Sequence, residues 1–435
     1  MTGGISLWFG HGTRNVGDVA LNTGAAALLE SSGAQLDVAL LPPLRGANLE
    51  AAQDSLPGAV RTTMLSADAM SIDSLLEYVE HPERLFRNYG VDGLETVLLH
   101  AGEHLYAPAD LATVHPLALW RMLPGLAAAA TGRRLIILPS TFGPFQHRGY
   151  AAVVGALIRS ADAIAARDGI SAAAAEALRR RPIAALLDPA FFVRPVSTPA
   201  AGAGRAAISM RLEGYGLRAG SQQSERVLAE HEAAGFRTST SFRSTLTLVE
   251  LLRADERVSS VTLIAQTSSD LPLMQAAQAA LASSSNPLPV DFVDAHRLTP
   301  HEAQDLLAAH DLLVTSRFHG SVLAIAAGTP AGGLPLTGHG HKIPGLYDVL
   351  GEPGWTLPVD RVDNAAALSG LLDRLREPDR ADRVAARLDH ARGATSAWLA
   401  AALHAPITDS RRRGQRALRA VARLAQARQA ALERG

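Results

Sequence analysis

Short apolar runs alternate with helical stretches along most of the chain, and this alternation restricts the fold more than any other feature. Ile5–Phe9, Leu36–Leu41, Thr96–His100, Leu135–Leu138, Ala161–Ala165 and Ile183–Leu187 each read as a buried strand. Most of them end on a polar turn bearing Gly or Pro, and the first is followed by a helix over Val19–Glu30. A second set follows: Ala206–Met210, Val261–Ala265, Val290–Val293, Leu312–Thr315 and Ala331–Leu334, with a helix over Ser321–Ala327. Apolar strands separated by helices predict an α/β protein with parallel sheets flanked by helices. Between the sets, residues 194–205 (RPVSTPAAGAGR) carry no periodicity and read as a linker. Residues 47–92 and 215–245 are less regular and read as helices and loops over the sheet edges. Residues 364–403 and the tail 411–435 read as helical. The expected division is a Rossmann-like domain over 1–195, a linker over 196–205, a second Rossmann-like domain over 206–365, and C-terminal helices with a basic tail over 366–435.

Length and composition narrow the function classes. A chain of 435 residues has room for two or three domains. A formal net charge of −1 removes whole-chain electrostatics as an argument for nucleic-acid binding. With no cysteine there is no disulfide framework, thiolate metal site or cysteine nucleophile. The start, MTGGISLWFG, has no basic segment followed by an apolar one, so no secretory leader is expected. Apolar stretches such as 151–158 and 321–327 are too short to span a bilayer. The expectation is a soluble, cytoplasmic protein. Two local departures stand out. Lys342 is the only lysine, every other Lys+Arg position being arginine. It is either a chance survivor of a compositional bias or a position needing a compact, titratable ammonium. The tail 411–435 holds eight arginines against Glu433, with Leu418, Val421, Leu424 and Ala425 at helical spacing. It reads either as a helix packed on the body or as an interfacial helix giving peripheral contact with an anionic membrane surface.

In parallel α/β sheets ligands sit beyond the C-terminal ends of the strands, so the residues following each strand are the candidates for chemistry. After the first strand come His11-Gly12-Thr13-Arg14-Asn15-Val16-Gly17-Asp18. The spacing is not G-x-G-x-x-G, so a dinucleotide is not indicated. Asn15 and Asp18 either cap the next helix or line a site. His100-Ala101-Gly102-Glu103-His104 could serve acid–base chemistry, but lacks the H-E-x-x-H spacing of a zinc site. Ser140–Arg148 contains a Gly143-Pro144 turn and ends on Arg148, a fork of donors suited to a carboxylate or phosphate. Arg167-Asp168 reads more readily as a structural pair or cap. The strongest constellation is Thr315-Ser316-Arg317-Phe318-His319-Gly320, which is polar between two apolar flanks and sits where a helix dipole favours anions. Gly338-His339-Gly340-His341-Lys342 follows the last strand; with no third histidine or carboxylate nearby it is not read as a metal site.

Taken in order, these segments resemble the polysaccharide pyruvyl transferase family over roughly residues 5–350. The likeness rests on Asn15-Val16-Gly17-Asp18, on Ser140–Phe145, on Ser160-Ala161-Asp162 leading to Arg167-Asp168, and on Asp188-Pro189-Ala190. Its sharpest part is Ser316-Arg317-Phe318-His319 running into Ala326-Ala327-Gly328-Thr329-Pro330. The Gly102-Glu103-His104 loop and His11-Gly12 depart from the family pattern on the side where the acceptor is expected.

The resemblance implies two Rossmann-like domains in a glycosyltransferase-B-like arrangement. It also implies transfer of pyruvate from phosphoenolpyruvate to a sugar of a polysaccharide or its precursor as a ketal, with no cofactor beyond that donor. Arg317 and His319 match the donor motif, Lys342 a basic position after it, and Arg148 a basic position after the Gly-Pro turn. Ser316, Arg317 and His319, with Arg148 or Arg211, are expected to hold the donor. His319 or Lys342 is expected to deliver the proton. Asp18 or Glu103 is expected to take one from the sugar, and Asn15, Asp18, Glu103, His104 and Arg148 to meet the acceptor. The rival reading is a nucleotide-sugar glycosyltransferase of the same shape, which needs an acidic ribose-binding residue; Asp270 and Glu302 are its loose candidates. The sugar, its lipid linkage and the oligomeric state are not legible.

Overall fold

A computed structural model describes residues 3–12, 15–66, 71–103, 105–107, 116–195, 203–214, 221–282, 288–336, 341–359 and 365–432. The chain divides into two compact units. The first comprises Met1–Gly12, Leu21–Pro189 and Ala391–Gly435; the second comprises Thr13–Ala20 and Ala190–His390.

The first unit is built on a parallel sheet. Its strands are β1 (Ile5–Trp8), β2 (Val38–Leu41), β3 (Arg61–Met64), β4 (Thr96–Leu99), β6 (Arg134–Ser140), β8 (Ala163–Ala166) and β9 (Ala184–Ala185), in the order β3-β2-β1-β4-β6-β8-β9. A separate pair joins β5 (Leu105–Ala107) to β7 (Phe142–Phe145). Strands β1, β2 and β4 are buried on both faces, which is why they read as unbroken apolar runs. β3, β5 and β7 were not expected. The β3 sequence RTTM sits at the sheet edge, its end residues exposed and the two between them half-buried, so it lacks an apolar run. β7 contains Gly143-Pro144, which reads as a turn, but it pairs only with the short β5.

The second unit carries a five-stranded parallel sheet in the order β12-β11-β10-β13-β14. These strands are β10 (Arg205–Ser209), β11 (Ser260–Ala265), β12 (Val290–Asp294), β13 (Leu312–Thr315) and β14 (Ala331–Gly333). In both sheets the strand order reverses direction beside the first strand, at β1/β4 and at β10/β13. Crevices for ligands form at such reversals, outside the carboxyl ends of the strands.

The expected C-terminal region 366–435 is not a body of its own. The helix Pro378–His404 contains the boundary between the units, with residues up to His390 in the second and those from Ala391 in the first. The helix Arg411–Leu432 buries Ala417, Leu418, Val421, Leu424 and Ala425 in the core of the first unit. The apolar face weighed for insertion into lipid is therefore spent on the protein's own core. The residues 13–20 expected in the N-terminal domain belong with the second unit. No helix among the described residues is long and apolar enough to cross a membrane.

Candidate active site

The carboxyl ends of β10, β11 and β13 bring together the residues that the sequence marks most strongly. Arg211 follows β10, Gln266–Asp270 follow β11, and Ser316–His319 follow β13. Backbone and side-chain hydrogen bonds tie these turns to one another. Ser316 N–H donates to the Ser209 carbonyl at 3.1 Å, and Arg211 N–H donates to Ser316 Oγ at 2.8 Å. Thr315 Oγ1 donates to the Ser209 carbonyl at 2.7 Å and accepts from Arg317 N–H at 2.9 Å. Ser316 thus holds the backbone of Arg211 in place, and Thr315 that of Arg317.

Arg317 is the N-cap of the helix Phe318–Ala326 but does not cap it with its side chain. Its guanidinium reaches across to the turn after β11. One Nη donates to Thr267 Oγ1 at 2.9 Å and pairs with the fully buried Asp270 carboxylate. Asp270 in turn accepts from Thr267 N–H at 3.1 Å, in a reciprocal capping box. Asp270 is the functional partner that sequence reasoning assigned elsewhere. The Thr267-x-x-Asp270 spacing announces a cap, but nothing in it announces Arg317. The pairing fixes the arginine fork and cancels its net charge, leaving buried Nε without a hydrogen-bond partner among the described residues. The N-terminus of the helix Phe318–Ala326 adds positive potential at this turn.

His319, in the first turn of that helix, lies against Gly17. A Cβ placed on Gly17 would come within 2.3 Å of His319 Cβ, closer than any real contact, so only glycine admits the imidazole here. Asp18 follows, with Oδ1 4.0 Å from His319 Nδ1. The side chains are 12% and 28% exposed, so both reach solvent from a largely enclosed position. Asn15 positions this segment. Its Oδ1 accepts from Gly17 N–H at 3.1 Å, and its backbone bridges to Thr267. Asn15 is thus a helix cap, as the sequence allowed. Beside the Arg317–Gly320 turn is a small pocket lined by Val16, Ser209, Gln266, Gly320 and Leu323 among others. Ser209 Oγ and Gln266 Oε1 are buried there with no hydrogen-bond partner among the described residues. They are neutral polar groups behind an apolar lining.

Other expected residues are placed differently. Lys342 opens the helix Lys342–Val349 in the second unit, after His341. Gly338, His339 and Gly340 lie outside the described residues, as does His104. Arg148 opens the helix Arg148–Ser160 and is exposed, and Glu103 follows β4; both belong to the first unit. Arg167 and Asp168 are structural. Arg167 pairs with Asp188 at 2.7 Å, both buried, and donates to Thr141 Oγ1 at 2.6 Å; Asp168 caps the helix Gly169–Arg179. Gly328, at φ 88°, ends the helix Phe318–Ala326 with Thr329 N–H bonded back to Ala324. The acidic residues weighed for a ribose are committed elsewhere. Asp270 holds Arg317, and Glu302 closes a capping box with Thr299.

At the reversal of the first sheet, His11 and buried His100 pack edge to face with ring centroids 4.8 Å apart. Asn22 Oδ1 accepts from His11 N–H at 2.8 Å, so His100 Nε2, 2.9 Å from the same oxygen, carries the proton. Burial first, then the neighbouring His11, pushes the His100 imidazole well below the ordinary histidine range. His100 is held neutral and is part of the framework.

A family model described as polysaccharide pyruvyl transferase matches residues 87–336, more than half of the chain. The chain belongs to this family. No curated protein matches it. Among solved structures, a putative UDP-N-acetylglucosamine 2-epimerase from Listeria monocytogenes is 13% identical; the likeness covers 89% of this chain and 91% of that one, at a TM-score of 0.53. A glycosyltransferase from Rickettsia africae ESF-5 is 10% identical, with 92% and 96% covered and a TM-score of 0.51. At such identities the likeness shows the fold alone. It is an α/β fold of the glycosyltransferase-B type, here with a helical C-terminal extension. Family membership makes this pyruvyl transferase an enzyme of polysaccharide pyruvylation. Arg317, His319 and Arg211 lie inside the matched stretch; Asp18 and Lys342 lie outside it.

Proposed function

We propose that this pyruvyl transferase takes its pyruvyl group from phosphoenolpyruvate and sets it as a ketal across two hydroxyls of one sugar residue, in a polysaccharide or its precursor. The observation that carries the reading is the grouping of Arg317, Arg211, His319 and Asp18 around the N-terminus of the helix Phe318–Ala326. Phosphoenolpyruvate brings a carboxylate and a phosphate, which need directed donors and positive potential. Arg317 supplies a fork locked by Asp270, Arg211 and the helix N-terminus supply potential, and Ser316 fixes Arg211.

The chemistry follows from the donor. A proton added to the methylene carbon makes it a methyl group and leaves cationic character on the adjacent carbon. A sugar hydroxyl attacks that carbon and loses its proton to a base. The bond to phosphate then breaks, phosphate departs with its electron pair, and the second hydroxyl closes the ring. Of the two hydroxyl protons, one balances that delivered to carbon and the other leaves on phosphate. His319 or Lys342 is the acid, and Asp18, 4.0 Å from His319, is our choice for the base that accepts from a hydroxyl. Arg148, Glu103 and His104 are our choices in the first unit for the acceptor, with Asn15 serving through the turn it caps. The scheme calls on no cofactor.

The test is turnover. Incubation with phosphoenolpyruvate and a panel of oligosaccharides should release phosphate in step with a mass gain of one carboxyethylidene group. His319→Ala should abolish both while leaving the fold intact. Lys342→Arg separates charge from acidity: full activity assigns the proton to His319, and loss assigns it to Lys342. Wild-type turnover by His319→Ala together with Lys342→Arg removes the site from the reaction.

A further inference from the structure

The helix Arg411–Leu432 is strongly two-faced. Ala417, Leu418, Val421, Leu424 and Ala425 point into the first unit's core. On the opposite side Arg412, Arg416, Arg419 and Arg423, at i, i+4, i+7 and i+11, are all exposed. This spacing makes one continuous ridge. The ridge continues onto two neighbouring elements. Arg413 donates to the Arg159 carbonyl at the end of the helix Arg148–Ser160. Arg159 feels the like charges of both Arg413 and Arg180, and Arg179 that of Arg181. Carboxylates on these elements are engaged with the backbone: Asp162 with Leu135 and Thr408, Asp409 with Arg411, and Glu176 with Ile183; Asp162 also offsets part of the charge on Arg179. No ion pair to a carboxylate among the described residues involves Arg159, Arg180, Arg181 or any arginine from Arg411 to Arg423.

A chain of net charge −1 thus gathers unneutralised arginines on one face of one unit. Such crowding costs free energy in the isolated protein, and an anionic surface removes that cost. Ile407, 40% exposed and one residue from the Thr408–Asp162 contact, adds a large apolar side chain at the rim. Aromatic side chains for stacking on bases are absent from the ridge, which disfavours single-stranded nucleic acid. We propose that the arginine ridge of Arg411–Leu432, with Arg159, Arg180, Arg413 and Ile407, is a docking surface for an anionic membrane. The helix lies on the headgroups by charge, its apolar face staying in the protein. This inference does not depend on the identity of the donor.

The experiment is co-sedimentation of the full chain with vesicles of 30% phosphatidylglycerol in phosphatidylcholine, beside pure phosphatidylcholine. Binding should be confined to the anionic vesicles and fall steeply between low and high salt. Each arginine near such a surface is worth roughly a fivefold gain in partition. Arg412→Gln, Arg416→Gln and Arg423→Gln combined should therefore weaken binding on the order of a hundredfold. These side chains are exposed, and no side-chain hydrogen bond or ion pair among the described residues involves them, so the thermal midpoint should be unchanged; Ile407→Ser should weaken binding a few-fold. Absence of binding to anionic vesicles at low salt overturns the proposal. So does equal binding to neutral vesicles, or undiminished binding by the triple variant. Equal or tighter binding to duplex DNA, with the same loss on substitution, would make the ridge a nucleic-acid surface and overturns it too.

Discussion

Gly17 and His319 meet across 302 positions of sequence, and neither residue type predicts the other. Gly17→Ala would drive a methyl carbon into the imidazole, so either the ring or the Asn15–Asp18 turn must move. A displacement of an ångström at a reacting group costs about a hundredfold in rate. The expected outcome is a kcat/KM lower by about that factor, with a melting temperature close to wild type; a variant of normal activity would place His319 away from the chemistry. Arg317 needs a different approach. Removing it strands the fully buried Asp270, and a buried charge that loses its partner destabilises by about 3–5 kcal/mol. Arg317→Ala therefore mixes a folding defect with a binding defect, whereas Arg317→Lys keeps a charge for Asp270 and discards the fork. The Ser316–His319 motif was legible because polar residues between two apolar flanks have few structural excuses. Its partner Asp270 was not, because a buried carboxylate and a solvated one look alike in sequence.

Among the elements, the strands were legible wherever both faces are covered, as in β1, β4, β11 and β13, since burial on two sides demands an apolar run. β3 and β7 escaped because an edge strand and a Gly-Pro strand carry no such run. The helix Arg411–Leu432 shows the other limit: its period was readable, but what its apolar stripe covers was not. Leu418 is fully buried, and Leu418→Ala should lower the stability of the first unit by about 2–5 kcal/mol, read from the urea midpoint. Arg416→Ala, on the opposite side, should change it by less than about 0.5 kcal/mol. Equal, small effects of both would mean that the helix is not part of the core.

For the molecule as a whole, the pH dependence of stability reports on two buried histidines, His100 just after β4 and His310 just before β13. His100 is held well below the ordinary histidine range by burial and by His11, and His310 is lowered chiefly by burial. In the unfolded chain both titrate near about 6.5, so below that pH unfolding takes up protons that the native state refuses. Their contribution is present above about pH 6.5 and is lost as pH falls from there toward the depressed native values, at up to about 1.4 kcal/mol per pH unit for each. Denaturant midpoints at pH 7.5 and 5.5 should differ accordingly, and His100→Gln should shrink the difference. A midpoint indifferent to pH would contradict neutral burial.

At the same scale, two α/β units could be expected from the alternation alone, but the assignment of Thr13–Ala20 to the second could not. That short stretch makes its contacts through Gly17 and Asn15, residues that a sequence presents only as a turn and a cap. The roles proposed for Arg317 and His319 turn on phosphoenolpyruvate being the donor. Its most direct test is thermal stabilisation by phosphoenolpyruvate, beside a panel of nucleotide sugars, on the wild type and on Arg317→Lys. The expected result is a shift with phosphoenolpyruvate alone, strongly reduced in the variant relative to its own baseline. A shift only with a nucleotide sugar would contradict it, and would give Arg317 and His319 a diphosphate to hold.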